Sequence, residues 1–126
     1  SEINAKVITT FLRMDGHQVT HVTDGNQALH TLLQKRFDLV LMDMRMPGLS
    51  GIEVTYAWRK QEPRRQHIPI IALTANATTE DRKNCLAAGM DHFLVKPVSH
   101  DTLQAIINAF FEPSMEESHE KQRSAR

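Results

Sequence analysis

Phe37 to Gly51, FDLVLMDMRMPGLSG, is an apolar run that ends abruptly on Asp43 and then breaks at Met46, Pro47, Gly48 and Gly51. An apolar strand that delivers one carboxylate to its tip is building a site, because a charge at the lip of a core is unfavourable unless a metal, a cation or donor groups meet it. The rest of the chain is therefore expected to supply those groups. Ile68 to Ala75, IPIIALTA, is a second short apolar run, and it places Thr74 near its end. Phe93 to Pro97, FLVKP, is a third and delivers Lys96. Continuous rather than alternating hydrophobicity indicates strands covered on both faces, as in a parallel sheet with helices on each side. Ligands of such sheets sit outside the carboxyl ends of the strands, so Asp43, Thr74 and Lys96 are expected to converge on one crevice.

Helical patterns fill the intervals. Ile3, Val7, Ile8 and Phe11 recur at helical spacing until Gly16 stops them, which predicts a helix over Glu2 to Asp15. Val19 to Val22 reads as a weak short strand. Asp24 is placed to cap a helix whose core face is Ala28, Leu29, Leu32 and Leu33. Ile52 to Gln61 predicts a helix around Trp58, and Pro63 to Gln66 a polar loop. Thr78 or Thr79, with Glu80 and Asp81 in the first turn, opens a helix that closes at Gly89. Ser99 and Asp101 start the last, which carries Leu103, Ile106, Ile107 and Phe110. This alternation is what βαβ units require. From Glu112 onward EPSMEESHEKQRSAR is poor in apolar residues and reads as a polar linker or disordered tail, which leaves residues 1–111 as one domain.

With 126 residues the chain is long enough for one domain and short for two. Its 15 Lys and Arg balance 15 Asp and Glu, a net charge of zero that offers no footprint for nucleic acid or an anionic membrane surface. No apolar stretch approaches the roughly 18 to 20 residues of a membrane span. The single cysteine, Cys85, excludes an internal disulfide and reads as a small buried thiol. Together these point to a cytoplasmic module, and any anchor in the inner membrane would belong to a longer parent.

MDMRMPGLSG, LTANA, CLAAGMD and FLVKPV resemble the receiver, or response-regulator, domain of two-component signalling, and are especially similar to receivers within hybrid sensor histidine kinases. The likeness implies a flavodoxin-like, doubly wound parallel α/β sheet. It assigns Asp43 as the acceptor of a phosphoryl group from a phosphohistidine, on a histidine kinase or a histidine phosphotransfer domain. Thr74, the backbone N–H of Ala75 and Lys96 would meet the phosphoryl oxygens. Mg2+ is the implied cofactor, held by Asp43 and the backbone carbonyl of Arg45. Phe93, three residues before Lys96, would be the aromatic that swings inward on phosphorylation, and Pro97 would follow a cis bond that aims the ammonium. Arg45 and Asn76 would flank the path of the hydrolytic water and tune the lifetime of the acyl phosphate.

One departure stands out: the family begins with a strand that ends in two acidic residues, whereas this pattern begins with a helix. In the family's strand order 2-1-3-4-5 the missing strand would lie between Val19 to Val22 and Phe37 to Asp43. The expectation is weakened Mg2+ affinity, with two open strand edges that invite a homodimer or strand exchange. A pseudo-receiver, acting as a phosphorylation-independent interaction domain, is the alternative this departure keeps open. A flavodoxin-like enzyme would need a glycine-rich phosphate loop after a strand, and none is visible.

Overall fold

The computed structural model describes residues 2–76 and 78–111. Eight elements follow in the order α1 (Glu2–Met14), α2 (Gly25–Gln34), β1 (Val40–Asp43), α3 (Gly51–Gln61), β2 (Ile70–Thr74), α4 (Thr79–Ala88), β3 (His92–Val95) and α5 (His100–Phe111). The strands form a parallel sheet in the order β1-β2-β3. Register pairs Asp43 with Leu73 and Thr74 with Val95. The chain's expected tail, from Glu112 onward, lies outside the described residues.

Local chemistry sets the helix ends. The Asp24 carboxylate accepts from the Gln27 N–H at 2.8 Å, so the first turn of α2 has a partner for one of its free N–H groups. Ser50 and Glu53 form a reciprocal capping box that starts α3 one residue earlier than its apolar pattern suggests. Thr78, rather than Thr79, caps α4, and Gly89 closes it in the left-handed region at φ 106°.

Two apolar clusters occupy the two faces of the sheet, which is the doubly wound arrangement. One gathers Ala28, Leu32, Met42, Val54, Trp58, Ile70, Ala72 and Cys85 from α2, α3, α4 and the sheet. The other gathers Ile8, Ile71, Leu73, Leu94, Leu103, Ile106 and Ile107 beneath α1 and α5. Alternate residues of β2 serve opposite clusters, and all five are buried. That explains why its sequence is apolar without interruption.

Three expectations need correction. Val19 to Val22 is not a strand, and residues 17–23 run without regular structure, although Val22 still packs against the α2 cluster. A strand needs a neighbour for its N–H and C=O groups, and none of the described strands runs beside this segment. Leu33, expected on the core face of α2, is exposed near the end of that helix. β3 is an edge strand bonded only to β2, so Val95 faces solvent and only Leu94 is fully buried.

Two polar linkages tie the layers. The Asp15 carboxylate contacts His100 Nε2 at 2.9 Å, and the Phe11 ring stacks on the His100 ring with centroids 4.6 Å apart, which fastens the end of α1 to the start of α5. At the amino end of the sheet, Arg59 donates to the Gly89 carbonyl, to Glu62 and to Asp91 at 2.7 to 2.9 Å. Glu62 and Asp91 also accept from the Ile68 and Ile70 N–H groups, and His67 lies 2.6 Å from Asp91.

Candidate functional site

The parallel register brings three strand ends side by side. Asp43 is the last residue of β1 and Thr74 the last of β2. Lys96 comes immediately after β3, its N–H donating to the Thr74 carbonyl at 2.8 Å, so the ladder carries it one step past the sheet. The Lys96 ammonium reaches back to Asp43 Oδ2 at 2.8 Å. Asp43 Oδ1 accepts from the Arg45 N–H at 3.1 Å. The convergence expected of Asp43 and Lys96 is therefore met by direct contact. Both side chains keep access to water, at 32% exposure for the carboxylate and 17% for the ammonium. A pair this exposed contributes on the order of 0 to 1 kcal/mol to folding, so its value lies in chemistry rather than stability.

The Thr74 hydroxyl sits at the same end but is turned onto its own backbone. It donates to the Asn76 carbonyl at 2.7 Å and accepts from the Asn76 N–H at 3.2 Å. Ala75 and Asn76 follow as exposed loop residues. The Lys96–Pro97 peptide is cis, as the resemblance implied.

Phe93 is half-buried and forms one wall of a shallow cleft with Thr74, Asn76, Asp81, Arg82 and Cys85. The Arg82 guanidinium covers its ring at 4.7 Å, a cation–π contact that the sequence reading did not anticipate. Cys85 is buried, and its thiol points at the Met44 sulfur 3.7 Å away. Burial pushes the Cys85 thiol above its ordinary pKa, and the charge of Asp81 adds to the effect.

Between Asp43 and α3 the chain makes a tight loop. Gly51 donates to the Met44 carbonyl at 3.3 Å across its neck. A Cβ on Gly51 would overlap the Asp43 carbonyl oxygen, so the Gly that closes the quoted stretch is dictated by close approach to the acceptor's own backbone. The loop's far side meets α2, where the Gly25 N–H donates to the Pro47 carbonyl at 2.9 Å.

The chain is similar to known proteins at every level of comparison. Residues 1–108 match the response regulator receiver domain family. The chain is 39% identical over 106 residues to the Sensor protein GacS of Pseudomonas syringae pv. syringae, covering 82% of this chain and 12% of that protein. It is 34% identical over 116 residues to the Aerobic respiration control sensor protein ArcB of Escherichia coli K12, covering 92% of this chain and 15% of that protein. The chain thus spans only a small fraction of these two relatives. Among solved structures, the receiver domain of sensor histidine kinase PA1611 from Pseudomonas aeruginosa PAO1, with a magnesium ion in its active-site cleft, is 45% identical with a TM-score of 0.79, covering 87% of this chain and 89% of that one. The receiver domain of Ssk1 from Saccharomyces cerevisiae, solved with the histidine phosphotransfer protein Ypd1, aligns at 27% identity and a TM-score of 0.79, covering 87% of this chain and 82% of the other. A family match over residues 1–108, most of its length, makes this chain a member of the response regulator receiver domain family.

Proposed function

We propose that the chain is a phosphoacceptor switch, and that Asp43 takes a phosphoryl group from a phosphohistidine on a histidine kinase or histidine phosphotransfer domain. The observation that carries this reading is the 2.8 Å contact between Asp43 Oδ2 and the Lys96 ammonium at adjoining strand ends. One Asp43 oxygen forms a bond to phosphorus as the bond from phosphorus to the donor's imidazole nitrogen breaks, and the electron pair leaves with the imidazole. Phosphoryl transfer asks the protein mainly for in-line positioning and for neutralisation of the three equatorial oxygens. Lys96 supplies a compact positive charge for one oxygen. The Ala75 N–H and the Thr74 hydroxyl would serve another, once that hydroxyl leaves the Asn76 carbonyl.

Rotation of Thr74 toward the phosphoryl group empties space in the cleft it shares with Phe93. Phe93 then moves inward, giving up its place under Arg82. Arg45 and Asn76 are exposed beside the route of an attacking water and tune how long the acyl phosphate lasts. Pro97 fixes the approach of Lys96.

Among the described residues no group of three or more His, Cys, Asp or Glu side chains could hold a metal ion. The oxygen donors at the site nonetheless suit a hard cation that keeps part of its water shell: Asp43 and the Arg45 carbonyl would hold Mg2+. Bound there, Mg2+ would supply positive charge that offsets the charge of the carboxylate and of the incoming phosphoryl group.

Among the described residues no helix is long and apolar enough to cross a membrane. We propose that the domain belongs to a longer sensor kinase, in keeping with the GacS and ArcB matches, and that it works in the cytoplasm. The test is exposure to acetyl phosphate and Mg2+ followed by intact-mass analysis of the chain and of Asp43→Asn. One phosphoryl adduct, absent in Asp43→Asn, is expected. No adduct on either chain would favour a phosphorylation-independent interaction domain, and an undiminished adduct on Asp43→Asn would move the acceptor elsewhere.

A further inference from the structure

The loop that carries Arg45 is closed at its neck by the Gly51 N–H to Met44 carbonyl bond, but its tip, Pro47 to Leu49, rests on another element. That element is the N-terminus of α2, and three observations fix the contact. Gly25, the first residue of α2, has no partner for its N–H within the helix, and donates it to the Pro47 carbonyl at 2.9 Å. Gly25 is buried so closely against the loop that a Cβ would overlap the Leu49 carbonyl oxygen. Gly48 turns with φ 77°, and a Cβ there would lie 2.8 Å from the Asn26 side-chain nitrogen. The helix start is itself held by Asp24, whose carboxylate caps Gln27.

The loop has little freedom between these two anchors. Its neck is tied at Met44 and Gly51, its tip at Pro47 and Leu49, and Arg45 lies between them with its N–H on Asp43 Oδ1. A shift of the tip is transmitted to Arg45, and through that bond to the carboxylate. Displacement of a reacting group by about 1 Å is enough to slow a positioned reaction on the order of a hundredfold.

We propose that the N-terminus of α2 is a latch that positions the acceptor loop, with Gly25 its fulcrum and Asp24 the cap that keeps it formed. Neither residue touches the phosphoryl group, so both are positioning residues. The proposal rests on Asp43 being the acceptor, but its structural half can be read without phosphorylation.

The experiment compares four variants with the unaltered chain. Gly25→Ala pushes a methyl into the Leu49 carbonyl, Asp24→Ala removes the cap, Asp24→Asn restores a capping oxygen, and His30→Gly weakens α2 at an exposed position away from the loop. Three quantities are measured: the Arg45 amide NMR shift, the initial rate of adduct formation with acetyl phosphate, and the melting temperature. Gly25→Ala should displace the Arg45 amide and slow adduct formation tenfold or more. Asp24→Ala should do both to a smaller extent and Asp24→Asn should recover the original values, while His30→Gly lowers melting with the amide and the rate unchanged. If Gly25→Ala fails to fold, the Asp24 pair decides by the same criteria. An unmoved Arg45 amide in both Gly25→Ala and Asp24→Ala overturns the latch, as does a His30→Gly rate that falls in step with its melting temperature. An unaltered chain that takes no phosphoryl group overturns the acceptor reading instead, and the amide shifts still decide the latch.

Discussion

The two ends of the sheet each hold a cluster of charges, and they are built on opposite principles. At the amino end, Arg59 spends its donors on Gly89, Glu62 and Asp91, while the two carboxylates also take the Ile68 and Ile70 N–H groups. Every member has several partners, and Arg59 and Glu62 are 13% and 9% exposed. At the carboxyl end, Asp43 has one ammonium and one N–H, is about one-third exposed, and closes strand β1. A saturated network resists change and holds the fold, whereas an unsaturated carboxylate leaves lone pairs for an incoming group. Location alone does not separate the two, since both combine acids and bases at strand ends. What separates them is that Asp91 holds three partners and Glu62 is nearly closed to water, whereas Asp43 holds two partners and is 32% exposed.

This contrast predicts opposite responses to mutation. The largest stability loss is expected for Asp91→Ala, which strips partners from Arg59, His67 and the Ile70 N–H together, at about 2 to 4 kcal/mol by urea unfolding. Arg59→Ala takes the guanidinium from both Glu62 and Asp91, and should cost about 2 kcal/mol in the same assay. A loss below about 0.5 kcal/mol in either would show the amino-end cluster to be surface decoration.

Lys96→Ala is expected to behave in the reverse way. It should cost no more than about 1 kcal/mol, because the pair it breaks is open to water, yet abolish the response to beryllofluoride. A large stability loss with a normal beryllofluoride titration would erase the distinction between the two ends. The smallest effect concerns Cys85. Its burial and raised pKa keep it a neutral thiol, so the native chain at pH 8 should react with a maleimide far more slowly than the same chain in urea. Equal rates would place the thiol, and with it the wall of the Phe93 cleft, in solvent.

The site end was the more legible one in the sequence, for a physical reason. Asp43, Thr74 and Lys96 each interrupt an apolar run, and register in a parallel sheet then aligns the interruptions. The amino-end network is invisible by that method, because Arg59, Glu62, His67 and Asp91 belong to a helix end and loops whose meeting depends on three-dimensional packing. Periodicity also misjudged Val19 to Val22, because a strand is a property of a pair and the sequence shows only one member. Leu33 misled for a related reason: helical spacing marks a face, but not which residues of that face the rest of the molecule covers. The Ser50 to Glu53 capping box was present as a spacing, and would have placed the start of α3.

Thr74 and Phe93 lie between these extremes. Their positions at the site follow from register, but the turn of the Thr74 hydroxyl onto Asn76 and the cover of Arg82 over Phe93 are side-chain choices that no pattern encodes.

The claim on which the rest depends is that the open carboxylate, and no other group, receives the phosphoryl. An acyl phosphate, unlike a phosphohistidine or phosphoserine, is reduced by borohydride to the corresponding alcohol, which marks the acceptor permanently. The most direct measurement is therefore borohydride reduction of the chain after acetyl phosphate treatment, followed by peptide mapping. The account predicts homoserine at position 43 and at no other aspartate. Homoserine at Asp91 or Asp15, or phosphate retained on a histidine with Asp43 untouched, would contradict it.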